Sequence, residues 1–579
     1  MQNVLAADTA SSGARHSTCQ AATVSASEAD CIVKSSENGS SRSRSQRGRS
    51  IRLLLEGYQL VSDVKSLGQE SAILLCRLQI EEKRLIIWGR AVGLAEETCR
   101  IPLQDLDNIL TVLAEISSIT QDAAVMKKRY SASPEPSNDL LHHNNPVEFI
   151  KSSAAFIDIR RRIDEKHRYP GHSLKTGLRW MFDRKNFEKL VVDLRELNNG
   201  LYALLEGAQR LTSKDSFREI CLLTAASDDA KQLAVIRDAS KVAYKGLSRT
   251  VDQRMHLIDI EASLPVEGPL PATRIPLQKL IWVNSDRARS IAHFEDEMVL
   301  VEWREYGDER INGRTVLSIL DHRIAELSIL LGRKPKPEGF QVMDCIGYCH
   351  DEHNKRFGLV YELPMLEVEK PPDIVSLYEL LQPAPGADKV FPSLNDRFSL
   401  SRTLVNSVLQ LHASGWLHRN LRSSHVLFIK SGKSMEWLRD PYICGFGYAR
   451  INDPNAISLP VHAQDEEVAY QHPELTDNPR IGYKREYDAY SLGTILTEIA
   501  FWRPIVTFQK ANYSAKRNHR RLLEYQLTGD LAHRMGQRFE QAVKLLLTGK
   551  GYGDSQVEGE QLVAFSQNIA SQVDIQSLR

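Results

Sequence analysis

Apolar residues recur every three or four positions through residues 51–235. In ESAILLCRLQIEEKRLIIWGRAVGL, Leu74, Leu78, Leu85 and Trp88 share one face with charges between them. That spacing predicts an amphipathic helix. Phe187, Leu190, Val191, Leu194, Leu197, Leu201 and Leu204 make a second stripe of the same period. Long amphipathic helices in series, joined by polar loops such as SASPEPSNDLLHHNNP, predict an all-α helical bundle over residues 51–235. Trp88 and Trp180 are expected to be core anchors, because large aromatics dominate burial. The period breaks by LPVEGPLPATRIP, the Pro-rich end of a connecting segment assigned to residues 236–276. Beyond it the texture changes to short β-type runs, EMVLVEWREY and FGLVYELP, with CHDEHNKRFG as a hairpin turn. From about residue 395 helical patterning returns, so residues 277–575 read as an α+β domain.

The chain has 579 residues, enough for two or three cores, and 42% of them are hydrophobic. Its 74 basic and 74 acidic residues cancel, which removes the global electrostatic case for nucleic acid as a partner. The eight cysteines lack the spacing of a disulfide framework and suit a reducing, cytoplasmic compartment. No apolar run reaches the length of a membrane-spanning helix, and MQNVLAADTASSGARHS has no apolar core of a secretory signal. Residues 1–50 are Ser- and Arg-rich with few large apolar groups, the composition of a disordered tail.

The chemistry concentrates after residue 300. Phosphoryl transfer by a protein kinase is mainly positioning and charge neutralisation, and it needs few parts. A Gly-rich loop covers the phosphates. A strand Lys pairs with a helix Glu, an Asp accepts the substrate proton, and an Asn and a second Asp hold magnesium. The catalytic loop is usually spelled H-R-D-L-x-x-x-N and the metal loop D-F-G. Here HRNLRSSH keeps His418 and Arg419 but places Asn420 at the base and His425 at the metal-binding Asn. A carboxamide does not titrate near neutral pH, and imidazole suits Mg²⁺ poorly. The metal loop reads Gly445, Phe446, Gly447, with no side chain to bind a metal. WVNSDRARSIAHFEDE, where the Gly-rich loop should lie, contains no glycine.

The scaffold around these losses is kept. YQHPEL places Pro473 and Glu474 at the A-P-E position, and Asp488 opens a D-x-W-S-x-G-like helix, where it is expected to bond the catalytic-loop backbone. VEWR matches V-A-I-K with Arg304 in the Lys position, and Glu326 of HRIAELSILLG is its expected carboxylate partner. Arg is larger and planar, so this is not a conservative exchange. Four matches in kinase order predict a two-lobed kinase-like fold without catalytic residues, cofactor or metal. The competing reading is an atypical kinase using a displaced group such as Asp453.

HRNLRSSHVLF, PYICGFGYARIN, YQHPEL and DAYSLGTILTEIAFWRP resemble the degenerate kinase-like domain at the C-terminus of many filamentous-fungal proteins. In that group it follows a HeLo domain, the helical domain of the prion-inhibition-and-propagation family. LCRLQIEEKRLIIWGRAVGL and LRWMFDRKNFEKLVVDLRELNNGLYALL resemble HeLo helices. The resemblance implies a regulatory protein of heterokaryon incompatibility or regulated cell death. It implies protein partners or self-association through the helical domain, and conditional contact with membranes. HeLo domains normally begin with an apolar inserting helix; here IRLLLEGYQLVSDVKSL offers only Leu53, Leu54, Tyr58, Val61, Val64 and Leu67. A signalling scaffold without a membrane step is the third reading.

Two further clusters have plainer explanations. Cys345, Cys349, His350 and His353 tempt a zinc reading, but strand alternation makes it hard to aim all four at one point. The run KRNHRR at residues 516–521 is either a partner or lipid patch or the solvated face of a helix.

Overall fold

The computed structural model describes residues 69–93, 109, 111–113, 115–116, 184–263 and 272–574. Within the last stretch it omits 286–287, 296, 312, 364–371, 384, 387–389, 431–434, 453–467, 479–480 and 527–528. The expectations for residues 1–50, for the stripe from Leu53 to Leu67, for Trp180, for Asp453 and for most of 264–276 lie outside the described residues.

Among the described residues, five long helices come first: α1 (Gln69–Ala91), α2 (Arg184–Ala203), α3 (Gly207–Ala225), α4 (Ala230–Ser240) and α5 (Lys245–Ser263). The α1 stripe faces inward, with Leu74, Leu78, Leu85 and Trp88 all buried. Trp88 Nε1 donates to the Leu201 carbonyl at 3.0 Å, tying α1 to α2. The α2 stripe stops short of its expected end: the helix closes at Ala203, Leu204 is exposed, and Leu205 takes the buried place. Asp229 caps α4 by accepting from Lys231 N and Gln232 N. Ala72, Cys76 and Ile80 of α1 pack with Leu233 and Ile236 of α4 and Leu247 and Val251 of α5. Residues 236–276, expected as a connecting segment, therefore carry a 19-residue helix that belongs to the bundle's packing.

A five-stranded antiparallel sheet follows, built from β1 (Leu280–Ser285), β2 (Arg289–Phe294), β3 (Glu297–Glu305), β6 (Cys345–Asp351) and β7 (Arg356–Glu362) in the order β1-β2-β3-β7-β6. The short pair β4 (Arg310–Ile311) and β5 (Arg314–Thr315) leads into α6 (Val316–Gly332), whose first turn Thr315 caps. α6 packs on β6 and β7, burying Leu320, Ile324, Leu327 and Leu331.

The rest is mainly helical. It comprises β8 (Asp373–Ser376), α7 (Leu377–Leu381), α8 (Leu394–Ala413), β9 (Trp416–Leu417), β10 (Val426–Lys430), β11 (Tyr442–Ile443), β12 (Arg450–Ile451), α9 (Pro473–Asp477), α10 (Arg485–Phe501), α11 (Ala515–Arg521), α12 (Asp530–Met535), α13 (Gln537–Leu547) and α14 (Glu558–Phe565). α10 is buried almost all round, as expected of a helix without a polar face. Its Thr494 and Thr497 hydroxyls donate back to the carbonyls of Tyr490 and Gly493. Gly493 is required by close packing, since a Cβ there would come within 2.9 Å of the Leu546 Cβ.

The described residues all belong to one compact unit. Leu222 of α3 joins the main apolar core of residues 291–573, and Gly559 of α14 lies against Leu223 and Ala226. Gln567 Nε2 donates to Glu219 Oε1 at 2.9 Å. Arg254 of α5, 5% exposed, pairs with Asp228 at 2.6 Å and with Glu558 at 3.3 Å. Ser414 Oγ donates to Gln253 Oε1 at 2.7 Å. Asp252 meets Arg333, just past α6, at 3.1 Å. Helix α5 thus contacts both the sheet-bearing part and the helical part that follows it.

Candidate functional site

The degenerate positions meet between the sheet and the helices after it. Asp488, wholly buried at the start of α10, accepts from His418 N at 2.7 Å and Arg419 N at 2.8 Å. It also accepts from Tyr483 Oη at 2.8 Å and meets His412 Nε2 at 3.1 Å. These bonds hold the turn in which Arg419 has φ +66°, a left-handed conformation uncommon for a non-glycine residue. They keep the Asp488 carboxyl below the usual carboxylate range despite burial, which alone raises it. His418 is buried against Phe446 and bonds the Cys444 carbonyl at 2.9 Å. Pro473 is buried at the first position of α9, and the exposed Glu474 accepts from Tyr487 Oη at 2.9 Å.

His425 is fully committed to the protein. Its Nδ1 lies 2.7 Å from the Asn420 carbonyl, and its Nε2 lies 3.1 Å from Arg422 Nη2. A carbonyl only accepts and a guanidinium only donates, so Nδ1 carries the hydrogen and Nε2 offers its lone pair to Arg422. Burial first, then Arg422 and Arg289, push the imidazole well below its ordinary range and keep it neutral. Neither nitrogen is left for a metal. Gly445 has φ +87°, and a Cβ there would overlap the His425 ring. An aspartate restored at 445 alone has no room.

Two residues that the motif comparison passes over fill this region. Glu302 stands on β3 two places before Arg304, and both its carboxylate oxygens accept from Gly445 N, at 2.8 and 2.9 Å. Arg289 on β2 pairs with Glu302 at 3.7 Å and donates to the Ser424 carbonyl at 2.7 Å and to Cys444 Sγ at 3.3 Å. The sheet is therefore tied to the loop after β11 by a buried carboxylate and a guanidinium. Sequence carried half a signal: a Glu stands where V-A-I-K has its Ala. Arg289 has no such mark.

The expected Arg304–Glu326 pair is not formed. The Arg304 guanidinium stacks 3.7 Å above the Tyr448 ring and donates to Tyr448 Oη at 2.8 Å. Glu326 instead takes His322, one turn earlier on α6, at 3.2 Å. Tyr448 follows the Gly-Phe-Gly turn, where Gly447 lets the Arg304 stem pass at 3.1 Å from where a Cβ would be. Arg304 thereby joins Arg323, Arg419 and Arg450 in a group of mutually repelling cations. Burial first, then Arg419, lowers Arg323 to about 10.

The clustered cysteines and histidines do not converge. A bulge between Cys345 and Gly347 puts Cys345 in the core on the α6 side of the sheet and Cys349 in the core on the other. His350 stacks on Phe357 at 4.2 Å and bonds Tyr306 Oη at 2.7 Å. Among the described residues no three His, Cys, Asp or Glu side chains are placed to hold a metal.

Residues 54–236 match the HeLo family model, described as prion-inhibition and propagation. Three kinases show shorter likenesses. A probable LRR receptor-like serine/threonine-protein kinase of Arabidopsis thaliana is 27% identical over 138 residues, 23% of this chain and 13% of that protein. A probable serine/threonine-protein kinase of Thermomonospora curvata is 30% identical over 109 residues, 19% and 13% of the two chains. A mitogen-activated protein kinase of Caenorhabditis elegans is 31% identical over 105 residues, 18% and 21%. The chain thus covers between 13% and 21% of the length of these relatives. Among the described residues no helix is long and apolar enough to cross a membrane.

Proposed function

We propose that residues 277–575 form a two-lobed, kinase-like domain that does not transfer phosphate and instead holds the HeLo helical region, within fungal incompatibility or cell-death signalling. The observation that carries this reading is the pair Glu302 and Arg289. On this reading their side chains stand where a kinase admits nucleotide; Glu302 accepts from Gly445 N and pairs with Arg289. A carboxylate there repels triphosphate, and neither metal-binding position, His425 nor Gly445, carries a side-chain oxygen to bring magnesium. The HeLo match supplies the biological setting. The contacts of α3 and α5 with α14, with Ser414 and with Arg333 supply the means of holding.

The test is phosphate transfer and thermal shift on the full chain. No transfer to itself or to a generic protein substrate is expected, and no magnesium-dependent rise in melting temperature with ATP. Incorporation of phosphate that vanishes on Asp453→Asn would restore the atypical-kinase reading.

A further inference from the structure

Residues 503–523 carry six cations and no carboxylate, in a chain whose charges cancel overall. Arg503, Lys510, Lys516, Arg517 and Arg520 are exposed, and among the described residues no carboxylate pairs with any of them. Their placement is built rather than incidental. The Arg517 guanidinium stacks 3.7 Å over the Tyr513 ring, and the Lys510 ammonium lies 5.3 Å from the same ring. Asn518 of α11 clasps the Lys510 backbone from both sides, accepting from its N at 3.0 Å and donating to its carbonyl at 3.1 Å. Ser514 caps α11. Arg503 lies over Phe508, which lines one small hollow with Asn518 and His519, so the loop and the helix form one face. His519 is pushed down to about 4 by burial, so Lys and Arg alone set the charge of this face at neutral pH.

The chemistry selects a layer of phosphates over a specific peptide or a nucleic acid. Exposed Glu474 and Asp477 of α9, which packs on α11, and Glu524 just beyond it border the face but pair with none of its five exposed cations. Tyr513, the aromatic ring at the centre of the face, is already covered by Arg517 and offers no platform for a base. Clusters of four to eight Lys and Arg are the number that anionic leaflets attract. We propose that the face carrying Arg503, Lys510, Lys516, Arg517 and Arg520 docks the protein on a bilayer rich in anionic phospholipid.

The full chain is mixed with phosphatidylcholine vesicles and with vesicles in which about a third of the lipid is phosphatidylserine. Binding is expected only to the second, and it weakens as salt rises. At about fivefold per charge, the triple variant Lys516→Gln, Arg517→Gln, Arg520→Gln loses on the order of 100-fold in affinity. Its melting temperature stays that of wild type, because none of the three side chains is buried. Equal binding by wild type and variant overturns the proposal, as does equal binding to the two vesicles. Tighter capture of single-stranded RNA than of phosphatidylserine vesicles also overturns it.

Discussion

Glu81→Ala is expected to destabilise the helical region by about 3 kcal/mol, toward the lower end of the cost of leaving partly buried cations uncompensated. Glu81 is wholly buried on α1 and gathers partners from its own helix, from α2 and from Tyr244 just before α5. Arg84 donates at 3.1 Å, Arg195 at 2.9 Å, Asn198 Nδ2 at 3.1 Å and Tyr244 Oη at 2.5 Å. The guanidinium of Arg84 lies over the rings of Tyr202 and Tyr244, and that of Arg195 over Tyr244. With the carboxylate gone, two guanidiniums share this aromatic shell without a counter-charge. Glu81→Gln keeps acceptors for some donors but not the charge, so its loss is smaller. Urea unfolding of the full chain, with amide exchange of α1 and α2 as the local readout, checks both. A loss under about 1 kcal/mol for the alanine variant would show that the surrounding cations find water instead.

Glu498→Gln is expected to stabilise the protein above neutral pH by up to about 3 kcal/mol and to remove part of its pH dependence. Glu498 is wholly buried on α10, and burial lifts its carboxyl from an ordinary 4.5 to about 7. Tyr470 Oη and Ile505 N donate to it, each at 2.7 Å, and only partly offset that burial. Between these two values the folded protein keeps a proton that the unfolded chain has released. Stability therefore falls as pH rises through roughly 4.5 to 7, and the cost is complete above 7. Glutamine accepts the same two bonds and carries no charge to desolvate. Unfolding free energies at about pH 4 and pH 8 should bring variant and wild type close together at the lower value and apart at the higher. Parallel curves for the two proteins would refute the titration.

What could be read from the sequence was what repeats or what is local. The stripe through Leu74, Leu78, Leu85 and Trp88 marked α1 because burial on one face imposes a period. The run VLVEWREY marked β3, with its burial on both faces. Leu204 was misplaced because a stripe does not announce where its helix stops, and α2 ends one residue earlier. Arg304 was expected on Glu326 by analogy with a lysine. A planar guanidinium finds a better surface in Tyr448, a residue with no place in the motif. The Glu302–Arg289 plug and the Glu81 hub were illegible for one reason. Arg84 apart, their partners lie 13 to 163 residues away, and only the fold brings them within bonding distance. At HRNLRSSH the sequence showed which residue types depart from the kinase pattern, but not that His425 and Glu302 are bonded to the backbone around them.

Helix α5 rests on both the sheet-bearing and the helical part of residues 277–575, so release of α3 and α5 is the most direct test of whether this region holds the helical bundle. Hydrogen exchange is compared between wild type and Arg254→Glu, which sets a third carboxylate beside Asp228 and Glu558. Exchange in α3 and α5 should accelerate at least about tenfold, while the sheet and α10 keep their protection. Unchanged protection of α3 and α5, with the variant otherwise folded, would contradict the holding role.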